Sequence, residues 1–394
     1  MNWPLYAGEL LAATWVWYSI AAAIGIPKVA ELSTENWDMP SDQIVSAKTG
    51  ATSPRVSIIV PARNEAAKIA AAMRTLMKSD YPNLEVIAVN DRSTDNTGAI
   101  LDEVASESVG RLKVIHVETL PPGWLGKTHA MYLAARQATG EWILFTDADV
   151  HHRTDSLRRA VGYAERVRAD HIVLLPTMLM HTWGERMMIS FFQALFIFAH
   201  RPWKVADPKS KDHIGVGAFN LVRRDAYDAI GGYDKLRLAV VDDMKLGEMV
   251  KRNGFSSHAT FGKDLIRIHW AHGARGVMDN LIKNFFAVMR FNVLLSILAA
   301  LAVLAIHLGP WAGALFAHGW ARAGYLICIL CVFGVYRGMA KRSGVRSRYV
   351  LLHPLATVLL SFTILRSTFV SVWQGGVVWR GTKYSLDELR RSGH

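Results

Sequence analysis

Cysteine is nearly absent, with two in 394 residues. That excludes a disulfide scaffold and leaves no obvious zinc site. Charge is scarce too: 20% charged against 51% hydrophobic residues, which excludes a disordered or fibrous chain. Acid is in the minority, 33 Asp and Glu against 45 Lys and Arg, a formal charge of +12. Such an excess suits an anionic lipid surface, and no nucleic-acid partner is expected. No strand end carries GxGxxG, which argues against a dinucleotide-dependent oxidoreductase. The processive-synthase motif QxxRW is also missing.

What is present divides unevenly. Residues 10–26 hold no charge and, with Leu5–Gly8, are long enough for a hydrocarbon core of about 30 Å. The run lacks a basic leader and a clean small-x-small site, so an uncleaved anchor over 1–30 is expected rather than a signal peptide. Near the other end, Arg290 and Arg322 bracket 31 uncharged residues, followed by Leu326–Tyr336 and Val350–Trp373. These predict membrane helices within 291–373 and a basic tail over 374–394. The connector Arg337–Arg348 is basic and free of acid, which places it in the cytoplasm together with the central domain. An integral protein of a bacterial inner membrane is expected. Arg366 is costly at mid-bilayer, so the last segment is expected to be re-entrant or interfacial. Cys328 and Cys331 read as buried apolar side chains.

Between the ends, strand and helix patterns alternate over 54–285. VSIIV (56–60), EVIAV (85–89), Leu112–Val117 and WILFT (142–146) are continuous apolar strands. Helical spacing separates them at Glu65–Lys78, Asp95–Val104 and Lys127–Thr139. This predicts an α/β domain with a mostly parallel, Rossmann-like sheet covered on both faces, its ligand beyond the C-terminal strand ends. Polar residues gather there: Pro61, Arg63 and Glu65 after the first strand, Asp91 after the second, Asp147 and Asp149 after the fourth. Two carboxylates two residues apart at a strand end need a cation, and hard ions such as Mg²⁺ or Mn²⁺ share oxygen ligands with phosphates. Asp147, Asp149 and His151 are the candidate metal ligands. Lys127, opening a helix after Gly123 and Gly126, is a candidate phosphate contact. Met187–Ala199 and Asn280–Phe291 are apolar or amphipathic and too short to span, so interfacial helices are expected near 187–203 and 280–291.

The ordered set VSIIVPARNE, VIAVNDRSTDNT, WILFTDADV, Gly217–Gly232 and VDDMKLG resembles the family 2 glycosyltransferases of GT-A fold. PPGWLGK and the apolar ends resemble the membrane-associated branch with hopene-associated, carotenoid and ceramide glucosyltransferase-like enzymes. The resemblance implies an inverting, metal-dependent transfer from a nucleotide sugar, a UDP-sugar by expectation, to a membrane lipid hydroxyl. Pro61, Arg63, Glu65 and Asp91 would line the nucleoside pocket, Asp147 would meet ribose or diphosphate, and Asp149 would bind the metal. Asp243 would be the general base, with Asp242, in the place of the family's glutamate, its rival. The tail VWRGTKY resembles the branch's terminal signature, so Trp379 and Arg380 would touch sugar or phosphate. A short-glycan or polyprenyl-phosphate sugar synthase is the second reading, and a silent nucleotide-binding scaffold the third.

Overall fold

A computed structural model describes residues 3–343 and 345–392. The chain forms two compact units. One comprises Val29–Leu179 and Pro202–His269, the other Met1–Lys28, Met180–Arg201 and Trp270–His394.

The first unit is built on a seven-stranded sheet. Its strands are β1 (Val56–Ala62), β2 (Leu84–Asp91), β3 (Leu112–Val117), β4 (Trp142–Phe145), β5 (His171–Leu175), β6 (Asn220–Arg223) and β7 (Ser257–Phe261). Their order is β3-β2-β1-β4-β6-β5-β7, with β6 antiparallel to both neighbours and every other pair parallel. β-Branched residues buried on both faces drive the sheet: Val56, Ile58, Ile59 and Val60 are at most 1% exposed. The β1–β4 ladder ends at Ile59 opposite Phe145, whereas β1 runs on beside β2 to Ala62. Pro61 has no N–H to offer β4, so the two strands part there and open a crevice at the switch point of the sheet.

The strands lie where the sequence places them, give or take two residues. One helix starts late, at Ile69 instead of Glu65. The Glu65 and Ala66 N–H groups bond Thr97 Oγ1 and Asp95 Oδ2, which ties this stretch to the β2 loop. The Arg223 and Arg224 pair of the Gly217–Gly232 motif is structural. Arg223, 2% exposed, binds Glu141 and Glu165 and stacks on Trp142. Arg224 donates to the Ala135, Ala138 and Gly140 carbonyls.

The second unit is helical. Among the described residues, four helices are long and apolar enough to cross a membrane: Leu5–Lys28, Val293–Phe316, Trp320–Ala340 and Ser347–Trp373. Helices Trp183–His200 and Gly273–Val288 lie in the same unit. A capping box starts the first: the Thr182 hydroxyl accepts from Glu185 N–H, and the Glu185 carboxylate accepts from Thr182 N–H and from Gly273 N–H. The last long helix begins at His353, whose ring lies 5.3 Å from that of His307 and whose Nδ1 meets the Tyr336 hydroxyl at 3.2 Å. It ends beside Gly273–Val288. Ser367 Oγ accepts from Phe286 N–H at 3.0 Å, and Arg366 pairs with Asp279 at 2.8 Å. The hairpin Gly376–Trp379/Thr382–Ser385 follows. Cys328 is buried and Cys331 partly so, both as free thiols.

Candidate active site

Three loops leave the C-terminal ends of β1, β2 and β4. The first is pinned to the second: Asn64, at φ 55°, accepts from Thr94 N–H through its side chain and donates its own N–H to Ser93 Oγ. Pro61 is half-buried opposite Val89, and Arg63 and Glu65 stand half-buried in this loop. Asp91, 4% exposed, is gripped by the Arg92 guanidinium through two contacts of 2.7 and 3.0 Å. Gly126 closes on this pair, since a Cβ there would sit 2.2 Å from Asp91 Oδ2.

Lys127, second residue of the helix Gly126–Gln137, is the electrostatic centre. Its ammonium lies 2.9 Å from Asp147 Oδ1 and 3.5 Å from Asp242 Oδ1. Burial alone would lower its pKa, but Asp147, Asp242 and Asp243 outweigh that and hold it above the usual lysine range. The helix Asp242–Arg252 begins with the two aspartates. Asp242, 3% exposed, accepts from the Tyr233 hydroxyl at 3.0 Å. Asp243 accepts from Gly217 N–H at 2.7 Å and Met244 N–H at 2.8 Å. Burial first, then the charge of Asp242, pushes the Asp243 carboxyl up to about 6 despite Lys127. The Gly217 carbonyl in turn accepts from Asp147 N–H at 2.9 Å, so one glycine residue joins both acidic loops.

Asp149 pairs with Lys68 at 3.0 Å. His151 lies in a two-residue strand opposite Arg267. Among the described residues, no three His, Cys, Asp or Glu side chains gather closely enough to hold a metal. The expected trio of Asp147, Asp149 and His151 is therefore not a ready-made cage; each aspartate faces its own lysine instead. The donor chemistry still fits a hard divalent cation. Two carboxylates at one strand end already hold cationic groups, and such ions complete their shell with substrate phosphate. Trp379 and Arg380 belong to the helical unit, on the tip of the C-terminal hairpin, where Lys283 Nζ lies 4.4 Å from the Trp379 ring centre.

Lys68, Arg92 and Tyr233 were not singled out from sequence, and Gly217 only as the first residue of its motif. The only signals were the adjacency of Tyr233 to Gly231-Gly232 and of Arg92 to Asp91.

Residues 57–231 match the family Glycosyl transferase family 2. Two curated relatives are similar over about half of each chain, both named 4,4'-diaponeurosporenoate glycosyltransferase. The one from Staphylococcus haemolyticus is 21% identical over 207 residues, 52% of this chain and 54% of its own length. The one from Staphylococcus aureus strain MRSA252 is 25% identical over 194 residues, 49% and 50%. The chain thus spans about half the length of the curated relatives it matches. A mannosyltransferase from Pyrobaculum calidifontis, solved with GDP-Man and Mn2+, shares the fold with a TM-score of 0.52 at 19% identity, over 94% of this chain and 99% of that one. The strand order, the acidic crevice at the switch point and the match over 57–231 agree: the chain carries a glycosyltransferase family 2 domain of GT-A fold.

Proposed function

We propose that this protein transfers a sugar from a nucleoside-diphosphate donor, a UDP-sugar by first choice, to a polar group on a membrane lipid, with inversion. The observation that carries the reading is the convergence of Asp147, Asp242 and Asp243 on Lys127 in the crevice between β1 and β4. The nucleoside would lie along Pro61, Arg63, Glu65 and Asp91, with its diphosphate toward Lys127 and Asp147. A divalent cation held by Asp149, beside Asp147, would neutralise charge on the departing diphosphate.

The chain's own residues then divide the work. Asp243 has a carboxyl raised toward neutrality and fixed by two backbone N–H donors, as a general base requires. It takes the proton of the acceptor hydroxyl as that oxygen attacks the anomeric carbon; the bond to the diphosphate breaks and its electron pair leaves with the phosphate. Asp242, tied to Tyr233 and Lys127, acts as counter-ion and not as base. One displacement inverts the anomeric centre. Lys127 and the helix start behind it stabilise the charge that develops on phosphate.

A lipid acceptor is supported by the four long apolar helices and by relatives named for diaponeurosporenoate. The contacts of the last helix support a return to the face it leaves from. It starts beside His307, about four turns or roughly 20 Å beyond Val293. It ends beside Phe286, and Arg390 of the tail donates to the Phe291 carbonyl at 3.1 Å, next to where the Val293–Phe316 span begins. The hairpin bearing Trp379 and Arg380 would then share a side of the membrane with residues 273–291, the cytoplasmic side by the basic connector.

The test is transfer by purified full-length protein from a panel of UDP- and GDP-sugars, with Mn²⁺ and membrane lipid extract. The expected product is an organic-soluble glycolipid of inverted configuration, absent with Asp243→Asn. Soluble oligosaccharide would favour the short-glycan synthase. Nucleotide binding without turnover on any donor would overturn the catalytic reading.

A further inference from the structure

The crevice holds two lysines on two aspartates, and they differ in freedom. Lys127 is 18% exposed, lies between two carboxylates and opens a helix. Lys68 is 42% exposed and meets only the edge of the site, at Asp149. Its backbone is fixed, because the loop before it is tied to the β2 loop through Asn64, Glu65 and Ala66. Its side chain is a long flexible stem ending in a compact ammonium. The Asp149 carboxylate is 21% exposed, open to a second cation.

Resting on the metal-assisted reading above, we propose that Lys68 is an exchangeable counter-ion that couples divalent-cation entry to arrival of the donor. In the empty crevice the ammonium neutralises Asp149 and opposes a free cation there. When a nucleoside diphosphate arrives with its cation, Asp149 would hold the cation, and the Lys68 ammonium would swing on its flexible stem to the phosphate oxygens beside it. Each partner therefore lowers the cost of binding the other, and the coupling is reciprocal. The exchange makes and breaks no covalent bond. It keeps the acidic pair neutralised in the empty and loaded states alike, which an open carboxylate in a half-buried crevice otherwise lacks.

The size of the effect follows from exposure. A half-exposed ion pair opposes a competing cation by no more than about fivefold. Free Mn²⁺ is measured by electron paramagnetic resonance in titrations of the full-length protein in detergent, without nucleotide and with UDP or GDP. Lys68→Met is expected to bind Mn²⁺ alone about three- to fivefold more tightly than wild type. The enhancement of Mn²⁺ affinity by nucleoside diphosphate should shrink by a similar factor, and Lys68→Arg should restore the wild-type pattern. Asp149→Asn should abolish Mn²⁺ binding in either background. Equal Mn²⁺ affinity and equal enhancement in wild type and Lys68→Met would overturn the role of Lys68 while leaving the metal-assisted reading intact. Failure of both proteins to bind Mn²⁺ with either nucleotide would overturn that reading, and this inference with it. Lys68 packs nothing in the core, so circular dichroism should show both variants folded.

Discussion

Replacing Lys127 with Met removes an ammonium that faces three carboxylates. At separations of 2.9 and 3.5 Å and an effective dielectric of about 20, each of the two nearest contacts amounts to about 5 kcal/mol of gross attraction. Desolvating the ammonium offsets most of this, and the net loss from breaking a largely buried pair is about 2–4 kcal/mol. Much of it should appear as altered titration, because the aspartates can escape the strain by taking up protons. Asp243, already raised to about 6, loses the charge that holds it down and moves further up. Wild-type turnover should rise with pH through about 6, as the base loses its proton. In Lys127→Met this acid limb should move up by at least about one unit, worth 1.4 kcal/mol, on top of a lower plateau from the lost phosphate contact. The assay is nucleoside-diphosphate release from the donor at saturating acceptor, from pH 5 to 9. A folded Lys127→Met enzyme with an unmoved acid limb would refute both the charge network and Asp243 as base.

Four further outcomes follow from the same contacts. Gly217→Ala brings a Cβ to 2.4 Å from Asp147 Oδ2; turnover should fall about a hundredfold through misplacement of both acidic loops, with an unchanged circular dichroism spectrum. Asp243 has a folded-state pKa raised to about 6, above the ordinary carboxylate range, so its contribution to stability is complete below about pH 4 and lost as pH rises through about 6; Asp243→Asn should flatten the thermal midpoint across that window. Arg223→Ala strands the buried Glu165 and should cost about 3–5 kcal/mol in denaturant unfolding, whereas Arg237→Ala, on the surface, should cost little. With Cys328 and Cys331 changed to Ser, a cysteine at Lys383 should react with an impermeant maleimide from the same side of the membrane as one at Lys209; labelling from opposite sides would overturn the returning helix.

The sheet was readable because its strands are short runs of apolar, mostly β-branched residues, which only a doubly covered sheet accommodates. Lys127 stood out as a phosphate contact because glycines before a helix start mark a place where anions meet backbone N–H groups, but its pairing with Asp147 and Asp242 had no local signal. Lys68 and Tyr233 did not stand out. Their partners lie in other loops, Asp149 81 residues on from Lys68 and Asp242 nine on from Tyr233, and nothing local marks a lysine or tyrosine as a counter-group. The same blindness hid the lysines at the candidate metal ligands: spacing shows that Asp147 and Asp149 need a cation but not that Lys127 and Lys68 stand beside them. The late start of the Ile69 helix was hidden in the same way, because the residues before it are tied to side chains about thirty positions away in sequence. Arg223 and Arg224 lie inside a recognisable motif, yet they hold the scaffold and leave the reaction alone.

The grip of the Tyr233 hydroxyl on Asp242 ties two positions into one choice. With its oxygen 3.0 Å from the phenol and only 3% of the residue exposed, the acid at 242 has no slack for another methylene. A glutamate there would overreach unless residue 233 gave up its ring or its hydroxyl. Acid length at one position and bulk at the other should therefore change together as this fold diverges, so a swap at 242 alone should cost more than the double exchange with 233.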